Sequence, residues 1–320
     1  MTASRHLVDP ELLPLLDSIP PFELTEAVLP MMRSRPARFP VAPEDLERTE
    51  MTTRQVPGPD GAPEVGVVIY RPKGATGPLP CIFHIHGGGY VTGSATGNEA
   101  AHRPMAAELG CCIVSVEYRL APETRFPGAI EDCYAALGWV FAQAGELGVD
   151  PARVGIMGES AGGGLAAALA LLVRDRADYS LAFQHLIYPM IDDRTCVTAD
   201  PHPYAGEFVW TPQANQFGWA SLLGAAPGGE GVSPYAAAAR AERLDGLPPT
   251  YIATGSLDLF LEEDLAYAQR LLRAGVPVEL HVYPGAFHGF QWAPEAGVSR
   301  IAARDTRAAL ARAMTQAARG

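Results

Sequence analysis

Arg153-Val154-Gly155-Ile156-Met157-Gly158-Glu159-Ser160-Ala161-Gly162 decides how this chain is read. Its first five residues read as a short buried strand. The run Gly163-Gly164-Leu165-Ala166-Ala167-Ala168-Leu169-Ala170-Leu171-Leu172 that follows reads as a helix. A serine between a parallel strand and its crossover helix stands on a sharp turn at the carboxyl edge of the sheet. The flanking glycines let strand and helix approach closely and hold the serine Oγ out toward a substrate. The helix amino terminus sends free N–H groups and positive dipole to the place where an oxyanion would form. Gly-x-Ser-x-Gly alone carries little in a chain with 33 glycines. The strand–turn–helix setting is what makes Ser160 the candidate nucleophile.

A second signal lies upstream. Cys81-Ile82-Phe83-His84-Ile85 reads as a strand running straight into His86-Gly87-Gly88-Gly89-Tyr90. Three successive glycines offer bare backbone N–H groups with no Cβ to obstruct a ligand. They would complement the N–H of Ala161 in an oxyanion hole. His84 and His86 could be taken for metal ligands, but no third ligand cluster accompanies them, and no metal is expected.

The serine needs a base, and the base needs an acid to fix its tautomer. In strand–elbow–helix hydrolases the chain order is serine, acid, histidine. Four histidines follow Ser160. His185 lies within an apolar strand, His202 in a proline-flanked loop, and His281 alternates with Leu280 and Val282 along Val278–Tyr283. His288 falls in the loop beyond that strand's carboxyl end, where a base belongs. Asp258 follows the strand Thr250-Tyr251-Ile252-Ala253-Thr254 in the loop Gly255-Ser256-Leu257-Asp258, which makes it the candidate acid. Glu263 is the second choice. Glu262, Glu263 and Asp264 otherwise read as favourable charge at the start of a helix.

These stretches, with Tyr118-Arg119-Leu120-Ala121-Pro122-Glu123, Asp150-Pro151-x-Arg153-Val154 and Gly285-Ala286-Phe287-His288-Gly289-Phe290, resemble the bacterial hormone-sensitive-lipase-like esterases, or family IV esterases. The resemblance runs from about residue 64 to 290 and implies an α/β-hydrolase fold. It implies that Gly88, Gly89 and Ala161 donate to the oxyanion and that His86 anchors the loop. Glu159 stands where many members carry Asp; this departure is expected to leave the machinery undisturbed.

Bulk properties fit an enzyme with a small-molecule substrate. Net charge is −12, from 24 basic and 36 acidic residues, which disfavours nucleic acid or an anionic membrane as a partner. No apolar run reaches the length of a membrane span, and no leader is visible in Met1–Pro40, so no stable membrane anchoring is expected. Five cysteines, an odd number mostly inside apolar runs, read as buried thiols in a reducing, cytoplasmic setting. A homodimer stays open.

Along the chain, Leu46–Val56 and Glu64–Tyr70 alternate as leading strands around the turn Pro57-Gly58-Pro59-Asp60-Gly61. Further strands are expected at 81–86, 111–117, 153–157, 183–188, 250–254 and 278–283, with helical runs between most of them. Eight strands interleaved with helices predict an α/β class with a mostly parallel sheet flanked by helices. The division expected is 46–191 and 233–320 for the catalytic core, with 1–45 and 192–232 outside the sheet. Pro10–Leu16 and Glu23–Arg33 suggest short helices in the first of these outer segments. The second carries Phe208, Trp210, Phe217 and Trp219. The resemblance implies that both fold over the site as a helical cap. Phe208, Trp210 and Trp219, with Tyr90 of the glycine motif, are the candidate substrate contacts.

The chemistry expected is ester hydrolysis through an acyl-enzyme on Ser160, with no cofactor. The resemblance implies short-to-medium acyl chains. An amidase, lactonase or carbonate hydrolase would use the same groups. A non-catalytic receptor, as in plant gibberellin receptors on this scaffold, is disfavoured because serine, aspartate and histidine are all kept.

Overall fold

The structure is a computed structural model that describes residues 3–20, 23–35 and 39–315. Its strands are β1 (Thr49–Val56), β2 (Val65–Pro72), β3 (Leu79–Ile85), β4 (Cys112–Glu117), β5 (Val149–Glu159), β6 (Gln184–Ile187), β7 (Thr250–Gly255) and β8 (Val278–Tyr283). They form one sheet in the order β1-β2-β4-β3-β5-β6-β7-β8. β2 runs antiparallel to β1 and β4, and every later pairing is parallel. The α/β-hydrolase fold expected from the motifs is therefore present. Parallel strands covered on both faces read as unbroken apolar runs. β3 is buried along its whole length, whereas β8 at the sheet edge is half-buried.

Helices α1 (Leu13–Ser18), α2 (Leu29–Arg33) and α3 (Pro43–Arg48) precede the sheet. Within it come α4 (Glu99–Leu109), α5 (Gly128–Ala142), α6 (Ala144–Leu147), α7 (Ala161–Arg176), α8 (Pro212–Leu223), α9 (Leu261–Arg273) and α10 (Gly297–Met314). α4 packs with α3 and α10, and α5 packs with α6 and α7. Ala161 through Val173 of α7 are all buried. A helix apolar on every side has to lie inside, and this one directly follows the central strand β5.

One boundary differs from the alternation in the sequence. Leu46 belongs to α3, and β1 begins only at Thr49. Pro43 opens that helix, and Glu44 and Asp45 place negative charge in its first turn, so the local preference is helical before the strand starts.

The segments outside the sheet meet each other. Glu207 accepts hydrogen bonds from the backbone of Ala3 and Ser4 at 2.9 and 2.7 Å. Leu12 and Leu29 are buried, and Asp9 N donates to Gly285 O at 3.0 Å. Arg33 donates to Val91 O and Ala121 O, each at 2.8 Å, and pairs with Glu123 at 2.7 Å. That contact ties the amino-terminal segment to the chain just after the glycine motif. Residues 23–25, Val209, Thr211 and one face of α8 line an open cleft of about 690 Å³. The parts of the expected division that fall at 1–2, 21–22, 36–38 and 316–320 lie outside the described residues.

Candidate active site

Ser160 sits between the end of β5 and the start of α7 with φ 56° and ψ −123°. A non-glycine residue in the left-handed region costs on the order of 1–3 kcal/mol and persists only where its surroundings fix it. They do so here: Ser160 N donates to Ile187 O, and Ser160 O accepts from Gly164 N and Met190 N, all at 2.9 Å. The turn closes only because its flanks lack side chains. A Cβ on Gly158 would stand 2.2 Å from Gly162 O, and one on Gly162 would stand 2.0 Å from Ile85 O. The second contact brings the elbow against the end of β3, where the glycine motif begins.

Three residues far apart in the sequence converge on this turn. Ser160 Oγ lies 2.9 Å from His288 Nε2, and His288 Nδ1 lies 2.8 Å from Asp258 Oδ2. Asp258 Oδ1 accepts from Phe260 N at 3.0 Å. A carboxylate that accepts a hydrogen bond from Nδ1–H holds the tautomer in which Nε2 is free to accept from the serine hydroxyl. The side chains are nearly enclosed: Ser160 and His288 are each 6% exposed and Asp258 is 0% exposed. β5, β7 and β8 supply the three positions at one edge of the sheet.

Glu263 serves elsewhere. It accepts from Ile191 N at 2.7 Å, Asp192 N at 3.2 Å and the Thr195 hydroxyl, so it holds the start of the 192–232 segment. Burial pushes its carboxyl well above the ordinary range. Asp264 is fully buried beside it, and neither oxygen meets a partner among the described residues. Burial, then the nearby Glu263 and Asp258, push Asp264 up as well. Both stand in the first turn of α9, where the sequence put them, but they are enclosed. Their position on the inner face of α9 was hidden because that helix begins with three consecutive acids.

The remaining histidines behave as packing groups. His185 stacks on Tyr251 with ring centres 4.0 Å apart, and burial lowers its pKa to about 3. His281 pairs with Glu279 at 2.9 Å on the sheet edge, and His202 accepts from Tyr204 N and Ala205 N. His86 donates to Gly87 O at 2.9 Å and stacks on Tyr118, while burial lowers its pKa to about 4. His84 lies between Ser115 Oγ and Glu159 Oε2, at 3.0 and 2.9 Å.

The glycine motif folds back over the elbow. Gly88 and Gly89 have φ 121° and 61°, and a Cβ on Gly87 would lie 3.4 Å from Ser160 Cβ. Among the described residues, none of the N–H groups of Gly88, Gly89 and Ala161 has a protein acceptor. Unpaired donors from a loop and a helix start, gathered next to a serine, suit an oxygen that gains negative charge.

The aromatic candidates separate into two sets. Trp210 reaches the site. The Trp210 ring is 6.2 Å from the His288 ring and fills the space beside Gly89, where a Cβ would meet its Cη2 at 2.2 Å. Phe208 packs on Phe287, the residue before His288, at 5.8 Å. Tyr90 and Trp219 lie behind the glycine loop, 5.1 Å apart and 1% and 0% exposed, with Tyr90 donating to Met190 O. The structure gives them no surface open to a ligand. Two neighbours of His288 escaped the sequence reading: Tyr188, with φ 35° and its ring 4.5 Å away, and the edge of Phe260 at 5.3 Å. Tyr188 fell inside the strand expected at 183–188, and its approach to His288 follows from the sheet order that puts β6 beside the elbow strand.

No group of three metal-ligating side chains occurs among the described residues, no described helix is long and apolar enough to cross a membrane, and all five cysteines are free. The family model described as alpha/beta hydrolase fold matches residues 82–292. Carboxylesterase NlhH of Mycobacterium tuberculosis is 34% identical over 294 residues, which cover 90% of each chain. Esterase LipI of Mycobacterium tuberculosis is 34% identical over 311 residues, covering 89% of this chain and 88% of its own. Among solved structures, a bacterial heroin esterase superposes with a TM-score of 0.86 at 38% identity, covering 97% of this chain and 98% of its own. Esterase LipW from Mycobacterium marinum gives 0.82 at 31% identity, with 98% of each chain covered.

Proposed function

Because the chain belongs to the α/β-hydrolase family, among its hormone-sensitive-lipase-like carboxylic ester hydrolases, we propose that Ser160, His288 and Asp258 cleave its esters through an acyl-enzyme. The observation that carries this reading is the unbroken contact from Ser160 Oγ through His288 to Asp258. Ser160 attacks the carbonyl carbon while His288 Nε2 takes its proton, and Asp258 stabilises the imidazolium. Gly88, Gly89 and Ala161 N–H groups receive the oxyanion. His288 then protonates the leaving alcohol, and a water activated by the same imidazole releases the acid.

Residues 1–45 and 192–232 act in this reading as the cap, with Trp210 beside His288 and Phe208 on Phe287 supplying its apolar surface. Short-to-medium acyl chains suit such an apolar cap. Five free cysteines suit a reducing, cytoplasmic compartment.

The test combines labelling with turnover. An organophosphate should add once, on Ser160, as read by intact mass and peptide mapping. Ser160→Ala should lose the adduct and about 10⁶-fold in turnover. Matched esters and amides of short acyl chains should be separated strongly in favour of the ester. Retained turnover in Ser160→Ala refutes the nucleophile, and equal amide turnover refutes the substrate class.

A further inference from the structure

The residue before the nucleophile makes contacts that the chemistry above leaves unused. Glu159 Oε1 accepts from Gly87 N at 2.9 Å and from Asn98 Nδ2 at 2.7 Å, and Oε2 faces His84 Nε2 at 2.9 Å. His84 is buried and backed in turn by Ser115 Oγ. Gly87 immediately precedes Gly88, and Asn98 is the residue from which α4 starts. One carboxylate at the end of β5 thus gathers three donors, from β3, from the glycine loop and from the head of α4. Burial alone would push this carboxyl up; His84, the Gly87 N–H and Asn98 outweigh it and hold Glu159 below the ordinary range. It is an anion kept in place by donors that all belong to the loop's supports.

We propose that Glu159 is the positioning residue of the oxyanion site, locking the glycine loop to the turn that carries Ser160. The donors attributed to the site come from two separate strands, Gly88 and Gly89 after β3 and Ala161 after β5. Pairing along the sheet fixes β3 against β5 only as far as Ile85 and Gly158. Beyond that point the glycine loop has no ladder, and Gly87 N is bonded to the Glu159 carboxylate instead. Oxyanion donors work because they are arranged before charge develops, and a shift of about 1 Å can cost on the order of 10²-fold. The length of a glutamate is what allows one side chain to span Gly87, Asn98 and His84. The sequence reading treated Glu159 as a neutral exchange for Asp; its contacts make it part of the machinery's support.

The inference rests on Ser160 as nucleophile and on the loop as oxyanion donor, so the experiment measures both. Glu159→Ala removes all three bonds, while Glu159→Gln keeps the shape and an accepting oxygen but drops the charge. Active sites are counted by organophosphate labelling, so a partly unfolded sample does not pass for a slow enzyme. Per labelled site, kcat should fall about 10²-fold in the Ala variant and about tenfold in the Gln variant, with KM little changed. Affinity for an alkyl trifluoromethyl ketone, whose adduct places an oxyanion there, should fall by the same factor as kcat/KM. Should the Ala variant not fold, the Gln variant decides alone. Per-site kcat and ketone affinity that match the wild type, or a loss confined to KM, would overturn the proposal. Turnover surviving in Ser160→Ala would instead topple the nucleophile reading, and this one with it.

Discussion

Ser160 at φ 56° and Val209, beside Trp210, at φ 62° are both non-glycine residues in the left-handed region, yet different things hold them there. At the elbow, backbone bonds to Ile187, Gly164 and Met190 and the close approach of Gly162 to Ile85 leave the serine one position. Over the site, Trp210 N donates to Phe208 O at 2.7 Å across Val209, a tight three-residue turn with a β-branched residue at its centre. Such turns are rare and strained. Trp210 is then held by its Nε1 bond to Asn215 Oδ1 at 3.1 Å and by packing near His288 and Gly89. The floor is set by many short backbone contacts, whereas the aromatic above it hangs on a few side-chain ones. Changes below should cost chemistry; changes above should alter which acyl group fits.

The harshest way to break that contrast is at the acid. Asp258→Asn should leave the fold intact and lower turnover about 10⁴-fold, because the histidine tautomer is no longer fixed. Glu263→Gln, whose bonds go to the 191–195 loop, should cost far less. Steady-state rates on one ester decide it, and the reverse order would move the acid to Glu263.

A milder change sharpens the other side. Trp210→Ala should open room beside Gly89 while the Ser160–His288–Asp258 contacts remain. Each added methylene that finds apolar space gains about 0.8 kcal/mol, roughly fourfold in kcat/KM. The optimum acyl length should move upward across a series of esters. An unchanged optimum with equal losses at every length would make Trp210 a packing residue only.

The smallest effect concerns Asp264, buried beneath the floor near Asp258. Its carboxyl is pushed well above the ordinary range by burial, so the folded chain holds a proton that the unfolded chain has released. That contribution to stability is present below the unfolded pKa, near 3.9, and is lost as pH rises toward the folded value. Asp264→Asn keeps the shape without a titrating group, so Tm should decline less between pH 5 and 8 than in the wild type. Parallel Tm curves for the two proteins would show that Asp264 is not protonated in the fold.

The meeting of Ser160, Asp258 and His288 was legible because each stands just past a strand, and strand ends can be read from short-range patterns. The glycine motif was legible for the same reason. The β1 boundary was missed where Pro43 and two acids turned an alternating stretch into a helix. Tyr90 and Trp219 are large aromatics near the motif and in the insertion, and their burial behind the loop depends on packing that their neighbours in sequence do not reveal.

What the chain determined by itself is what lies within a few residues: a serine elbow that needs glycines on both sides, an N–H-rich glycine turn, and a parallel sheet of apolar strands. Only the tertiary structure decided which distant groups meet. Sheet order brings β6 beside β5 and so sets Tyr188 against His288, and the return of α4 delivers Asn98 to Glu159. Backbone geometry is a local property of residue type, but a side-chain contact across the fold exists only after strands have chosen their neighbours and the interior has closed around them.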